Sequence, residues 1–344
     1  MRDVRSLGAN PEVFVREAFP SLADARPEGP PRRMPNSVVW RWRMKDRGHV
    51  WVKWRPQQAA GPLGMERMHR VLRHLRTSGI PFPETLASLS GSPWILNDGQ
   101  WVETWRAGLG RDAYVDRPPF APLLDAAHAR AIGRLLGRLA AVRPVEPAHR
   151  PVGEAGVWAD VSWIGTGAAP TWPMPTARAM LHRWWREVRP FVEALLARHS
   201  ASSAGGLYWH HGDPLPRNML FSKDEISSVL DPEAWTTGPE GLDLALAVAA
   251  LALPWPVLAA GGQARPRVAA DLLAGFADVR RPPPWEDLLP LVVLGRVGSA
   301  GRRASRLAAA GRFGEAHDFL KGQLTMLRWW QSPAGRLWHE GPPR

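Results

Sequence analysis

Over the first hundred residues, apolar and polar positions alternate in short runs separated by turn residues. Asn36 to Met44 (NSVVWRWRM) and His49 to Trp54 (HVWVKW) alternate with a period of two, joined by the polar Lys45-Asp46-Arg47-Gly48. That pattern predicts an antiparallel hairpin. Trp94 to Leu96 and Gln100 to Trp105 predict a second hairpin, turning at Asn97-Asp98-Gly99. Between them the period lengthens. Met65, Met68, Val71, Leu72 and Leu75 fall on one side of a helix over Pro62 to Thr77, which Gly79 ends. Pro81-x-Pro83 then opens the next strand. Asn10-Pro11-Glu12 is a helix start, with an Asn cap, Pro at the first helical position and an acid at the positive end, and the helix should reach about Ala18. Pro27 to Pro35 is too rich in proline for regular structure to be expected.

Helical periods dominate the remainder. Ala121 to Val142, Thr176 to His199, Arg265 to Asp278, Trp285 to Gly301 and Phe313 to Trp330 all predict helices. Pro144 to Pro175 is rich in Pro, Gly and Trp and reads as a surface excursion. The longest apolar run, Leu244 to Leu253, lies between Asp243 and Pro254. A bilayer span takes about 20 residues, so this run predicts a buried helix and no membrane association.

One stretch interrupts the helices: Leu207 to Glu233, LYWHHGDPLPRNMLFSKDEISSVLDPE. It reads as strand, tight loop, strand, turn, strand, with neighbouring hairpins expected to bring Asp213, Asn218 and Asp231 together. Two acids and an amide in this setting suit phosphoryl transfer. That reaction needs a carboxylate to take the proton of an attacking hydroxyl and hard oxygen ligands to hold Mg²⁺ against phosphates. The Asn stands five residues after the first Asp, as in the catalytic loop of protein kinases.

Composition narrows the alternatives. The chain has 344 residues, 45% hydrophobic and 22% charged, ordinary for a folded protein of one large or two moderate domains. Without cysteine there is no disulfide framework, thiolate nucleophile or cysteine metal site. Met1 to Pro20 is charged and lacks an apolar leader core, so a cytoplasmic protein is expected. The net charge of +12 rests on arginine, because Lys45, Lys53, Lys223 and Lys321 are the only lysines among 44 basic residues. The densest basic stretch, Arg296 to Arg312, has no interleaved aromatics, which favours a solvated helix face over a nucleic-acid site.

His211-Gly212-Asp213 with Asn218, followed by Val229-Leu230-Asp231 and Glu233, resembles the aminoglycoside phosphotransferase and choline kinase-like family. The resemblance covers about residues 30 to 255. It implies an α+β, bilobal protein kinase-like fold: a small antiparallel sheet with one main helix over residues 1–102, a hinge over 103–108, and a larger, mainly helical lobe over 109–344. It further implies an ATP-dependent phosphotransferase acting on a hydroxyl of a small molecule such as an amino sugar, sugar or amino alcohol. The alternative is a nucleotide-binding pseudokinase or basic interaction protein on the same scaffold.

Roles follow from the resemblance residue by residue. Asp213 is the base, and Asn218 and Asp231 bind Mg²⁺. Lys53 contacts the ATP phosphates. Glu66 resembles its helix partner, or is an ordinary exposed acid beside Arg70. Asn36 closes a phosphate loop that here has Arg32-Arg33-Met34-Pro35 where the family usually has glycine. Trp101 to Gly108, including Glu103 and Trp105, resembles the link whose backbone meets the adenine. His211 braces the loop, Asp243 holds its backbone, and Glu233 assists the metal or contacts substrate. The acceptor remains open: cationic acceptors call for acidic walls or an aromatic cage, whereas the arginine content suits an anionic or sugar-like alcohol better. Oligomeric state has no signature in the sequence.

Overall fold

The computed structural model describes residues 10–34, 37–45, 48–56, 62–106, 108, 110–114, 124–144, 175–200, 208–231, 236–253 and 263–342. The chain divides into two compact units. One gathers Met1–Ala113, Val152–Glu154 and Met219–Pro232; the other gathers Tyr114–Pro151, Ala155–Asn218 and Glu233–Arg344.

The first unit is built on an antiparallel sheet. Its centre is β3 (Ser37–Arg43), β4 (His49–Pro56) and β7 (Gln100–Arg106). Short strands β1 (Arg26–Pro27) and β2 (Arg32–Met34) share the outer edge of β3, and β5 (Glu84–Thr85) and β6 (Trp94–Asn97) pair with β7. The proline-rich stretch before Asn36 is therefore not wholly irregular. Arg32-Arg33-Met34 contains no proline, keeps its N–H groups, and pairs with Val39, Val38 and Ser37. The β6–β7 turn carries positive φ at both Asp98 (48°) and Gly99 (71°), the tight-hairpin geometry that Asp-Gly favours.

Alternation along β4 decides what each face holds. Val50, Val52 and Trp54 point into a core with Val15 of α1 (Pro11–Ala18), Phe19, Leu22, Trp40 and Trp42. Trp51, Lys53 and Arg55 occupy the opposite face by period two. The Asn10 side chain accepts the Val13 N–H at 3.2 Å, fixing the start of α1 where the sequence placed it. Helix α2 spans Pro62–Thr77 and buries Met65, Met68, His69, Leu72 and Leu75.

The hairpin of β9 (Met219–Ser222) and β10 (Glu225–Val229) belongs to this sheet unit although it is distant in sequence. Arg111 and Phe221 exchange two backbone hydrogen bonds of 3.0 Å, and the Val229 N–H donates to the Pro81 carbonyl at 2.8 Å. A Cβ added to Gly108 would meet the Ser227 carbonyl oxygen at 2.4 Å, so only glycine lets the chain pass this close to the hairpin.

The second unit is mainly helical: α3 (Ala126–Ala141), α4 (Pro175–Ser200), α5 (Leu242–Ala247), α6 (Pro266–Ala277), α7 (Trp285–Ala309), α8 (Phe313–Gln331) and α9 (Pro333–Arg336). Helix α5 runs on into a wider π turn over Val248–Ala252, and every residue of the segment but Leu246 is buried. Helices α3 and α6 meet through glycine; a Cβ on Gly133 would lie 2.1 Å from the Leu272 carbonyl oxygen. Strand β8 (Tyr208–His210) pairs with β11 (Thr236–Gly238), a partner absent from the sequence reading, and not with β9. The expected surface excursion lies almost wholly outside the described residues.

Candidate active site

In the sheet unit, the Lys53 ammonium donates to Asp231 Oδ1 at 2.7 Å, closing a contact across 178 residues of sequence. The lysine side chain is 13% exposed and the aspartate 45%. Asp231 holds φ at 55°, in the left-handed region. A non-glycine residue there costs on the order of 1–2 kcal/mol, a strain that Asp tolerates better than bulkier residues. The carboxylate is thus presented from a bent backbone at the end of β10, within reach of the one lysine on β4.

Directly across the sheet from Lys53 is Glu103, its register partner on β7. The Glu103 carboxylate is fully buried, bonded by the Arg55 guanidinium and 3.0 Å from His69 Nε2. Burial pushes its pKa up, but the charge of Arg55 and the contact with His69 pull it down to about 2. His69 also stacks on Trp105, with ring centroids 5.2 Å apart and planes 15° from parallel.

In the helical unit, the loop after β8 is held from beneath. Asp243, buried at the start of α5, accepts the His211 N–H at 2.5 Å through Oδ2 and the Gly212 N–H at 2.9 Å through Oδ1. Gly212 sits at φ 80°, where glycine carries no steric penalty. The Asp213 N–H then donates to His211 Nδ1 at 3.3 Å, so the ring locks the loop's next residue. Pro216–Asn218 closes a short 3₁₀ turn, with the Asn218 N–H bonded to the Leu215 carbonyl at 2.9 Å.

That turn aims the Asn218 amide back at Asp213. Its Nδ2 donates to both the Asp213 backbone carbonyl and Oδ2, each at 2.9 Å. The amide's nitrogen end is thereby committed to Asp213, which turns its carbonyl oxygen away. Arg217 also reaches Asp213 Oδ2, at 3.3 Å. Neighbouring His210 is buried, and burial holds its pKa below the usual imidazole range against the opposing pull of Asp243, 3.8 Å away.

A family model described as the phosphotransferase enzyme family matches residues 35–285. The chain belongs to that family. Among solved structures of the fold, an aminoglycoside phosphotransferase from Alicyclobacillus acidocaldarius is 17% identical, covering 96% of this chain and 98% of its own, with a TM-score of 0.56. Amicoumacin kinase hAmiN in complex with AMP-PNP, Ca²⁺ and Ami is 10% identical over 94% of this chain and 96% of its own, at 0.63. A thermostable mutant of aminoglycoside phosphotransferase APH(4)-Ia, in ternary complex with AMP-PNP and hygromycin B, is 13% identical over 93% and 98%, at 0.58. No curated protein matches by sequence. The α+β, protein kinase-like fold expected for the phosphotransferase family is the fold observed.

Against this phosphotransferase frame, several expected positions move. Glu66 is exposed on α2, off the packed face of Met65, Met68, His69 and Leu72, and the acid opposite Lys53 is Glu103. Glu103 and Trp105, expected in the link that meets the adenine, are part of the sheet. Both lie inside β7, flanked by β4 on one side and by β6 or β5 on the other, and both side chains are buried. The strand continues to Arg106, so residues 103–106 of the expected link are sheet. Asn36 and Glu233 lie outside the described residues.

No group of three or more His, Asp or Glu side chains able to hold a metal occurs among the described residues. Mg²⁺ bound with phosphates needs only one or two carboxylates. Asp231 in the sheet unit and the amide of Asn218 in the helical unit each carry oxygen of the hard kind that Mg²⁺ binds. Arg55, His69 and Arg217 were missed in the sequence. Arg55 and Lys53 sharing one strand face, and a histidine within the apolar stripe of α2, were the available signals.

Proposed function

We propose that the protein transfers the γ-phosphate of ATP to a hydroxyl of a small molecule. Asp213 takes the hydroxyl proton as the new oxygen–phosphorus bond forms, while the bond from the γ-phosphorus to the bridging oxygen breaks and ADP departs. Asn218 fixes Oδ2 of that carboxylate, and Asp243 fixes the loop that carries it, so little reorganisation is needed at the moment of transfer. Lys53 steadies the phosphates. Asn218 and Asp231 would hold Mg²⁺, which when bound neutralises charge on the phosphate oxygens.

The observation that carries this reading is the Lys53–Asp231 contact. An ammonium and a partly exposed carboxylate, delivered from remote strands and holding one another, are the groups that a nucleotide phosphate and its cation would separate and engage.

The test has two arms. Thermal shift with ATP, with and without Mg²⁺, should show stabilisation that Lys53→Ala and Asp231→Asn each reduce. ADP release over a panel of alcohols should fall about 10²- to 10⁴-fold in Asp213→Asn, with ATP binding kept. Undiminished turnover in Asp213→Asn would remove the base. ATP binding without transfer to any acceptor would favour the pseudokinase reading.

A further inference from the structure

We infer that Arg55 is a positioning residue for Lys53: by occupying the acid opposite that lysine, it leaves the ammonium to Asp231 and so to the nucleotide phosphates. The inference rests on the phosphotransfer reading and names what keeps its phosphate lysine in place.

Side chains directly opposite on antiparallel strands start about 5 Å apart, and diagonal neighbours about 7 Å apart. Lys53 is directly opposite Glu103, whereas Arg55 faces Trp101 and is only the diagonal neighbour of that acid. Strand geometry alone therefore favours a Lys53–Glu103 pair. The sheet holds a different one. Glu103 Oε1 accepts from the Arg55 guanidinium, and Oε2 lies 3.0 Å from His69 Nε2. The Lys53 ammonium turns instead to Asp231 Oδ1 at 2.7 Å.

Packing selects the diagonal partner. The Arg55 side chain is 5% exposed, and its guanidinium also rests on Met68 Sδ at 3.7 Å, on the buried side of α2. His69, the next residue of α2, is held by its stack on Trp105. A weakly hydrated guanidinium suits such a buried pair better than the compact, strongly hydrated ammonium of lysine. Lys53 is left as the more exposed cation of the two. A buried carboxylate stripped of its partner is costly and draws the nearest cation. Without Arg55, that cation is Lys53, directly across from Glu103. The ammonium would then move to Glu103, away from Asp231 and from any phosphate beside it.

The experiment uses the full chain and reads the Kd of ATP with Mg²⁺ by titration calorimetry, which needs no acceptor. Arg55→Gln should weaken ATP binding about 10- to 100-fold, as for one lost hydrogen bond to a charged group. Adding Glu103→Gln should return most of that loss, since no charge is left to draw the ammonium. On a Lys53→Ala background, Arg55→Gln should add less than about twofold, because its effect passes through the lysine. An unchanged Kd in Arg55→Gln, no recovery in the double variant, or full additivity with Lys53→Ala would overturn the inference. A network that only stabilises the fold gives the last two results. Should Arg55→Gln not fold, the Arg55→Gln/Glu103→Gln protein decides alone: affinity near that of wild type supports the inference, and a loss of about 10-fold overturns it. If wild type does not bind ATP, or Lys53→Ala binds it equally well, the phosphotransfer reading falls and takes the role of Arg55 with it.

Discussion

Glu103 in the sheet unit and Asp243 in the helical unit are both buried carboxylates, yet they are satisfied in opposite ways. Glu103 is held by a guanidinium and an imidazole. Asp243 is held by two backbone N–H groups, those of His211 and Gly212. The first arrangement joins strands to a helix, since Arg55 lies on β4, Glu103 on β7 and His69 on α2. The second fixes the path of a single loop. A charge network of side chains fails when any one charge is removed, whereas backbone donors remain in place and need only an acceptor.

The largest effect should come from breaking the charged network. Glu103→Ala leaves Arg55 and His69 without their shared acid inside the sheet unit, a change that costs about 3–5 kcal/mol in buried pairs of this kind. Denaturant unfolding should show that loss. Glu103→Gln, which keeps shape and one acceptor, should recover part of it. Equal stability of wild type and Glu103→Ala would mean that the pair contributes nothing net.

A smaller effect is expected at Asp243. Asp243→Asn keeps one acceptor oxygen and presents an NH₂ to the other donor, so one buried N–H is left unmade at about 1–3 kcal/mol. The contrast with Glu103 lies in where the damage appears. Hydrogen exchange at the His211 and Gly212 amides should accelerate, and turnover should fall with little change in KM for ATP. Unchanged exchange at these two amides would break the comparison.

How far the sequence disclosed this architecture follows from the range of the forces involved. Helix α1 and the β6–β7 turn were legible because an Asn cap and an Asp-Gly turn act over three or four residues. The Asp213–Asn218 pair was legible because both sit in one loop. Pairing of β8 with β11 was not, since the apolar run at Leu207 to Trp209 reads alike whichever strand it meets. The place of Glu103 within the sheet was not legible for a related reason. Position along the chain suggested a link between lobes, but a strand flanked on both sides has no backbone left for a ligand. Glu66 and His69 lie on one helix three residues apart, and packing chose the histidine.

The gentlest way to separate the two regions is pH, because their titrating groups respond in different windows. Glu103 is depressed in the folded protein to about 2, from an ordinary 4.5. Its contribution is therefore complete above pH 4.5 and declines as pH falls toward 2, where the folded carboxyl finally takes a proton. His210, beside Asp243, is also depressed, from 6.5, because burial disfavours the imidazolium. Below pH 6.5 the unfolded chain binds a proton at this histidine while the folded chain does not, so stability falls with pH there too, but earlier. A plot of unfolding free energy against pH should lose slope just below 6.5 in His210→Gln and keep its slope below 4.5. Glu103→Gln should do the reverse. If both variants flatten the same window, Glu103 and His210 do not mark separately titrating regions.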